Sequence, residues 1–188
     1  MRSIKYPPAR KQYMIQSLVA VLVIAVVLIV DLVTKAAVAG SMDRGDSITV
    51  IDGFFNITYV QNTGAAWSMG SGCEGFMNVV IVLTFVIVAA VLFVLAYPDS
   101  RKNMLLVVSL AMVSSGAVGN LVDRLMLGYV RDFFDFDIFG YDFPVFNVAD
   151  ISLVVGVLLL IVCICIYFFT PRPVTEEREK SDGEDEPE

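Results

Sequence analysis

Long apolar runs alternate along this chain with shorter, mixed segments. Four runs reach the ~20 residues needed to cross a bilayer core: Met14 to Val38, Phe76 to Tyr97, Asn103 to Met126 and Asn147 to Phe169. The expected fold class is an all-α integral membrane protein with four transmembrane helices. Two loops, about 39–75 and 127–146, lie on one side of that arrangement. The first contains "SITVIDGFFNITYVQNTGAAW", rich in β-branched and aromatic residues with Gly and Asn breaks. It predicts two short strands around Asp52-Gly53, a small extracytoplasmic β-element. The second contains "FFDFDIFGYDF", where aromatics alternate with acids. That pattern predicts an interfacial loop segment, since aromatic rings favour the membrane–water boundary. No internal repeat is visible.

The first run begins behind a basic segment, and "AVAG" at Ala37 to Gly40 resembles a cleavage site. Its apolar core is too long for a removed leader, and Asp31 and Lys35 interrupt the approach, so a retained helix is expected. The chain then divides into a basic N-terminus (1–13), a transmembrane domain (14–170) and an acidic tail (171–188). After Pro171-Arg172-Pro173 the tail is too polar to bury a core and is expected to be disordered.

Composition agrees with membrane residence: 57% of the 188 residues are hydrophobic and mean hydropathy is +0.74. The net charge of −7 is mostly a property of the tail, which holds eight acids and three bases. With no histidine in the chain, Ser-His, Cys-His and HExxH chemistries are excluded. The three cysteines form no CxxC and argue against a disulfide framework. No metal, cofactor or nucleic acid is expected. Arg2, Lys5, Arg10 and Lys11 precede the first run, Arg101 and Lys102 separate the second from the third, and Arg172, Arg178 and Lys180 follow the fourth. The positive-inside rule makes all three segments cytoplasmic, with both termini inside and the two mixed loops outside.

Polar residues on the predicted helices converge at one depth. Asp31 and Lys35, four apart, share a face near the outer end of the first helix. Asn120, Asp123 and Arg124 share a face at the outer end of the third, with Gly116 one turn below. Asn147 and Asp150 open the fourth, and Asp132 stands in the loop just before it. Charged groups in a membrane cost about 2.5–3.5 kcal/mol at mid-bilayer and normally find partners inside a bundle. Asp31–Lys35 reads as a structural ion pair. Asp123–Arg124 reads as an interhelical network, and Asn120 and Asn147 as plain hydrogen bonds. Gly116 allows close helix packing. Asp132 and Asp150 lack so simple an account. Two carboxyls about 3 Å apart share a proton, so that one serves as base toward water and the other as acid toward a carbonyl.

These segments resemble the lipoprotein signal peptidase (signal peptidase II) family, bacterial intramembrane aspartyl proteases. The similarity covers about residues 15 to 170 and rests on five motifs in order: "DLVTK", "NTGAAWS", "SSGAVGNLVDR", "YVRDFFDF" and "FPVFNVADIS". In "NTGAAWS" the family's more usual aromatic is Phe, where Trp stands here. The resemblance implies that Asp132 and Asp150, not Asp123, are the catalytic pair. It implies that Asp31, Lys35, Asn62, Gly64, Gly116, Asn120, Asp123, Arg124 and Asn147 support the site or bind substrate. The implied substrate is a prolipoprotein with a diacylglyceryl-modified lipobox cysteine, cut just before that cysteine. Cleavage is implied at the outer face of the cytoplasmic (inner) membrane, by a monomer in contact with membrane lipid. The competing reading is a small multispan transporter or proton-conducting protein, which would spread its acids through the membrane's depth. A binding-only scaffold would tolerate loss of either aspartate.

Overall fold

A computed structural model describes residues 10–64, 75–96 and 103–170. The chain order is α1 (Arg10–Ser41), β1 (Ser47–Ile51), β2 (Phe55–Asn62), α2 (Phe76–Ala96), α3 (Met104–Leu127), β3 (Val130–Ile138), β4 (Tyr141–Phe146) and α4 (Val148–Phe169). Among the described residues three helices are long and apolar enough to cross a membrane, Gln12–Ser41, Met104–Leu127 and Val148–Phe169, and Asn78–Val91 is a shorter apolar stretch. The basic flanks at 1–9 and 101–102, "AAWS" of the second motif, Cys73 and the acidic tail lie outside the described residues.

Apolar side chains point outward as well as inward, the reverse of a soluble bundle. Leu18, Val33, Phe93, Leu158 and Phe168 are all exposed. The interior is organised around α3, which packs most extensively on α4 and also touches α1 and α2. It begins on Asn103, whose side chain accepts from the backbone N–H of Leu105 and Leu106, and ends at Gly128 in the left-handed region. Small residues bring the α3 and α4 backbones together. A Cβ at Gly116 would collide with the Ala149 carbonyl, and one at Gly119 would meet the Asp31 carboxylate 2.6 Å away. Ser115 and Ser152 meet across the same seam at 3.3 Å, and Ser152 donates to the Met112 carbonyl.

The four strands form one antiparallel sheet in the order β1-β2-β3-β4. The predicted hairpin around Asp52-Gly53 is present as β1 and β2, with Gly53 at φ +66° in the turn. The second loop departs from expectation. It is a β-hairpin that completes the sheet, so the chain is not all-α. The alternation in "FFDFDIFGYDF" is the period of a strand. Its aromatics stack across the ladder: Phe55 on Phe136 at 4.5 Å and Phe136 on Phe146 at 5.8 Å between ring centroids. Phe139 and Gly140, both with positive φ, make its turn, closed by the Gly140 N–H on Asp137 Oδ1 at 2.6 Å.

Candidate active site

The start of α4 is specified locally. Asn147 is its N-cap and Asp150 its third residue, and they form a capping box. The Asp150 N–H donates to Asn147 Oδ1 and the Asn147 N–H donates to Asp150 Oδ2, both at 3.1 Å. One carboxylate oxygen of Asp150 is thereby oriented by its own helix. The other, Oδ1, accepts from Asn120 Nδ2 of α3 at 2.7 Å.

Asp132 stands on β3, not in a loop as the sequence suggested. Its Oδ1 accepts from Asn147 Nδ2 at 2.6 Å and its Oδ2 from Asn62 Nδ2 at 3.0 Å. The same Asn147 amide also donates to Asn120 Oδ1 at 3.1 Å. Two asparagines bonded to each other therefore join the two carboxylates, Asn147 holding Asp132 and Asn120 holding Asp150. Asp132 is only 3% exposed. Burial, and then the nearby Asp150 carboxylate, push its pKa up to about 7, against the opposing hydrogen bonds of Asn62 and Asn147. Such a carboxyl can hold or release a proton near neutrality.

Behind this pair lies a buried cation. Lys35 of α1 is fully buried; its Nζ donates to Asn120 Oδ1 at 2.9 Å and lies 2.9 Å from Asp31 Oδ2 and 3.6 Å from Asp123 Oδ2. Asp31 also accepts the Ala149 N–H at 2.9 Å, satisfying one of the orphan donors at the start of α4. The Asp31–Lys35 pair is thus structural in form, yet it touches the asparagine that holds Asp150.

Asp123 and Arg124 join other elements through separate partners, Asp123 reaching Lys35 of α1, and do not pair with each other. Neighbours on a helix do not face each other, and Asp123 is met instead by Arg131 of β3, at 2.6 Å between Arg131 Nη2 and Asp123 Oδ1. Arg124 donates to the Asn120 carbonyl at 3.3 Å and to the Gly64 carbonyl at 3.2 Å. The Gly64 N–H returns to Asn62 Oδ1 at 2.9 Å, so Arg124 and Gly64 together set the rotamer of the Asn62 amide. Gly116 lies one turn beneath as the α3–α4 contact point and not in the wall of the site.

Asp132, Asp150, Asn62, Asn120 and Arg124 line a cavity of about 490 Å³. Its remaining wall is mostly apolar, from Phe143 to Phe146 of β4 and from Ile151, Leu153, Val154 and Val155 of α4. The arrangement offers two adjacent carboxyls, an arginine and a greasy slot. Among the described residues no group of three or more acids or cysteines could hold a metal ion. Sequence reasoning overlooked Arg131, the aromatic wall of β4 and the link from Asp31 to α4. The capping box was legible as Asn-x-x-Asp before an apolar run; nothing local signals the Asp31 contact.

The sequence matches the family described as signal peptidase (SPase) II over residues 23–166. The lipoprotein signal peptidase of Staphylococcus haemolyticus (strain JCSC1435) is 42% identical over 155 residues, 82% of this chain and 94% of that protein. That of Staphylococcus aureus (strain JH9) is 41% identical over 154 residues, 82% and 91% of the two chains. A bacterial membrane enzyme solved by the in meso method at 2.3 Å superposes with TM-score 0.76 at 38% identity, over 83% of this chain and 93% of that one. A second, at 1.9 Å, gives TM-score 0.71 at 40% identity, over 78% and 92%.

Proposed function

Since this chain belongs to the signal peptidase II family, and so is an integral membrane protease that removes signal peptides from prolipoproteins, we propose that it is an aspartic endopeptidase acting through Asp132 and Asp150. The observation that carries the reading is the Asn147–Asn120 bridge, which holds both carboxyls on one cavity. The ionised carboxyl takes a proton from water as its oxygen attacks the scissile carbonyl carbon. The protonated carboxyl gives its proton to the carbonyl oxygen. The tetrahedral diol then collapses: one hydroxyl returns its proton to the ionised carboxyl as the C=O re-forms, the C–N bond breaks, and the nitrogen leaves as the amine with the proton of the other carboxyl, which restores the pair. Asp132, with its pKa near 7, can hold the shared proton at neutral pH.

The substrate is a prolipoprotein with a diacylglyceryl-modified cysteine, cut just before that residue. The apolar wall of Phe143 to Phe146 with Ile151, Leu153, Val154 and Val155 suits lipid chains, while Arg124, Asn62 and Asn120 are the polar lining left to face the peptide. Gly64, Gly116, Asp31, Lys35, Asp123 and Asn147 hold these groups in place. The peptidase domain (14–170) crosses the inner membrane four times as a monomer, α2 being one of the spans. Both termini, 1–13 and the tail 171–188, are cytoplasmic. The site lies near the outer face. The high hydropathy of α2 and the basic flanks support this topology.

The test is turnover of a purified diacylglyceryl-modified prolipoprotein by wild type, Asp132→Asn and Asp150→Asn. Each variant should bind substrate and lose about 10²–10⁴-fold in rate. Substantial turnover by either would end the paired-carboxyl reading.

A further inference from the structure

Arg131 and Asp132 are consecutive on β3, so their side chains leave the strand on opposite faces. Asp132 enters the cavity; Arg131 does not line it. On the far face Arg131 makes three hydrogen bonds to one carboxylate. Its Nη2 donates to Asp123 Oδ1 at 2.6 Å, its Nε to Asp123 Oδ2 at 3.2 Å, and its backbone N–H to Asp123 Oδ2 at 3.0 Å. Asp123 is 1% exposed and the Arg131 side chain 15% exposed. The clamp is therefore largely withdrawn from water, with the fork geometry that only arginine supplies.

Strand pairing alone does not hold Asp132 in place. The β2–β3 ladder pairs Val130, Arg131 and Asp132 with Asn62, Gln61 and Val60 and shifts register just beyond, between Asp132 and Phe134, while the β3–β4 pairs begin only at Phe134. Asp132 is thus the last residue of a regular stretch, paired on the β2 side alone, with the bulge of β2 directly after it. The Asp123 carboxylate grips the residue just before Asp132 through both backbone and side chain, and ties it to the rigid end of α3. From these contacts we propose that Arg131 is a positioning residue for Asp132, acting through Asp123. The proposal rests on Asp132 being catalytic.

The same clamp bears on Asp150. Asp123 has a second cation 3.6 Å away in Lys35, which also donates to Asn120, the residue that holds Asp150. Without the Arg131 guanidinium, the buried Asp123 charge keeps the backbone N–H of residue 131 and the Lys35 ammonium, and draws Lys35 from Asn120. One substitution on the far face of β3 thus loosens both carboxyls.

The test compares wild type, Arg131→Met, Arg131→Lys and Asp132→Asn in steady-state cleavage of a diacylglyceryl-modified prolipopeptide, with thermal melting of each protein. Misplacement of a catalytic group by about 1 Å costs about 100-fold in rate, so Arg131→Met should lose kcat on that order. KM should stay within about 3-fold, because Arg131 does not line the cavity. Arg131→Lys keeps the charge but not the fork, and should recover only part of kcat. In an Asp123→Asn background, Arg131→Met should add little further loss. If Arg131→Met does not accumulate as folded protein, Arg131→Lys decides: wild-type kcat there overturns the proposal. So does a loss confined to KM, or kcat within about 3-fold of wild type in Arg131→Met. An inactive Asp132→Asn beside a fully active Arg131→Met overturns this inference alone, whereas an active Asp132→Asn overturns the reading of the site.

Discussion

The start of α4 and the start of β3 each present one carboxyl to the cavity, and they hold it by opposite means. Asp150 has one oxygen oriented by a residue three positions earlier, through a box that any isolated helix could form, and only the other held from outside, by Asn120 of α3. Asp132 is oriented by Asn62, seventy residues before it, and by Asn147, fifteen after it. One carboxyl is positioned half by local geometry, and the other at both oxygens by the assembled fold. The difference shows how a dyad can be built on two elements that meet only after packing. The rigid member waits on a helix terminus, and the second is brought to it on a strand clamped from behind.

The sharpest way to break the comparison is to remove both carboxyls. The double variant Asp132→Asn/Asp150→Asn should be hardly slower than either single one, because groups acting as a unit are strongly non-additive. Additive losses in single-turnover assays would mean the two regions act separately. Asn147→Ala strikes where the two modes of support join. It deletes the cap of α4 and the 2.6 Å bond to Asp132 at once. It should lose roughly 100-fold in kcat and, as a lost cap, about 1 kcal/mol of stability in thermal melts.

Asn62→Ala touches only the tertiary side. Asn62 donates to the Asp132 carboxylate and so favours its ionised form, against the burial that holds the pKa at about 7. Removing it should raise that pKa further. Asp132 is protonated below about pH 7 in the wild type, so the inflection of kcat belonging to it should move to higher pH. An inflection moving lower would refute the assignment of that limb to Asp132. The smallest effect is expected on the local side. Val148 is the first residue of α4, a position where proline is tolerated. Asn147 before it is already extended, at φ −133° and ψ −178°, as a residue preceding proline should be. Val148→Pro should keep the capping box and cleave within about 3-fold of wild type, since helix starts accept this substitution.

What the sequence determined by itself depends on spacings of a few residues. Hydropathy over windows of ~20 residues marked the apolar helices. Alternation around Asp52-Gly53 marked the first hairpin, and Asn147 with Asp150 opened α4. The ordered motifs identified the family, and the proposed role of the two aspartates rests on that resemblance. The same alternation in "FFDFDIFGYDF" was present but read as an interfacial surface, because a strand shows its pairing only once its partner is known. What the tertiary structure alone decided are contacts whose energy does not exist until helices touch. Lys35 reaches Asn120 across eighty-five residues, and Asp31 accepts from Ala149 across one hundred and eighteen. Asp123 passes over its neighbour Arg124 to take Arg131, since adjacent helical residues diverge while a strand docked on the helix end does not. The Lys35 and Asp31 contacts need the close approach of α3, α4 and α1 that Gly116 and Gly119 permit.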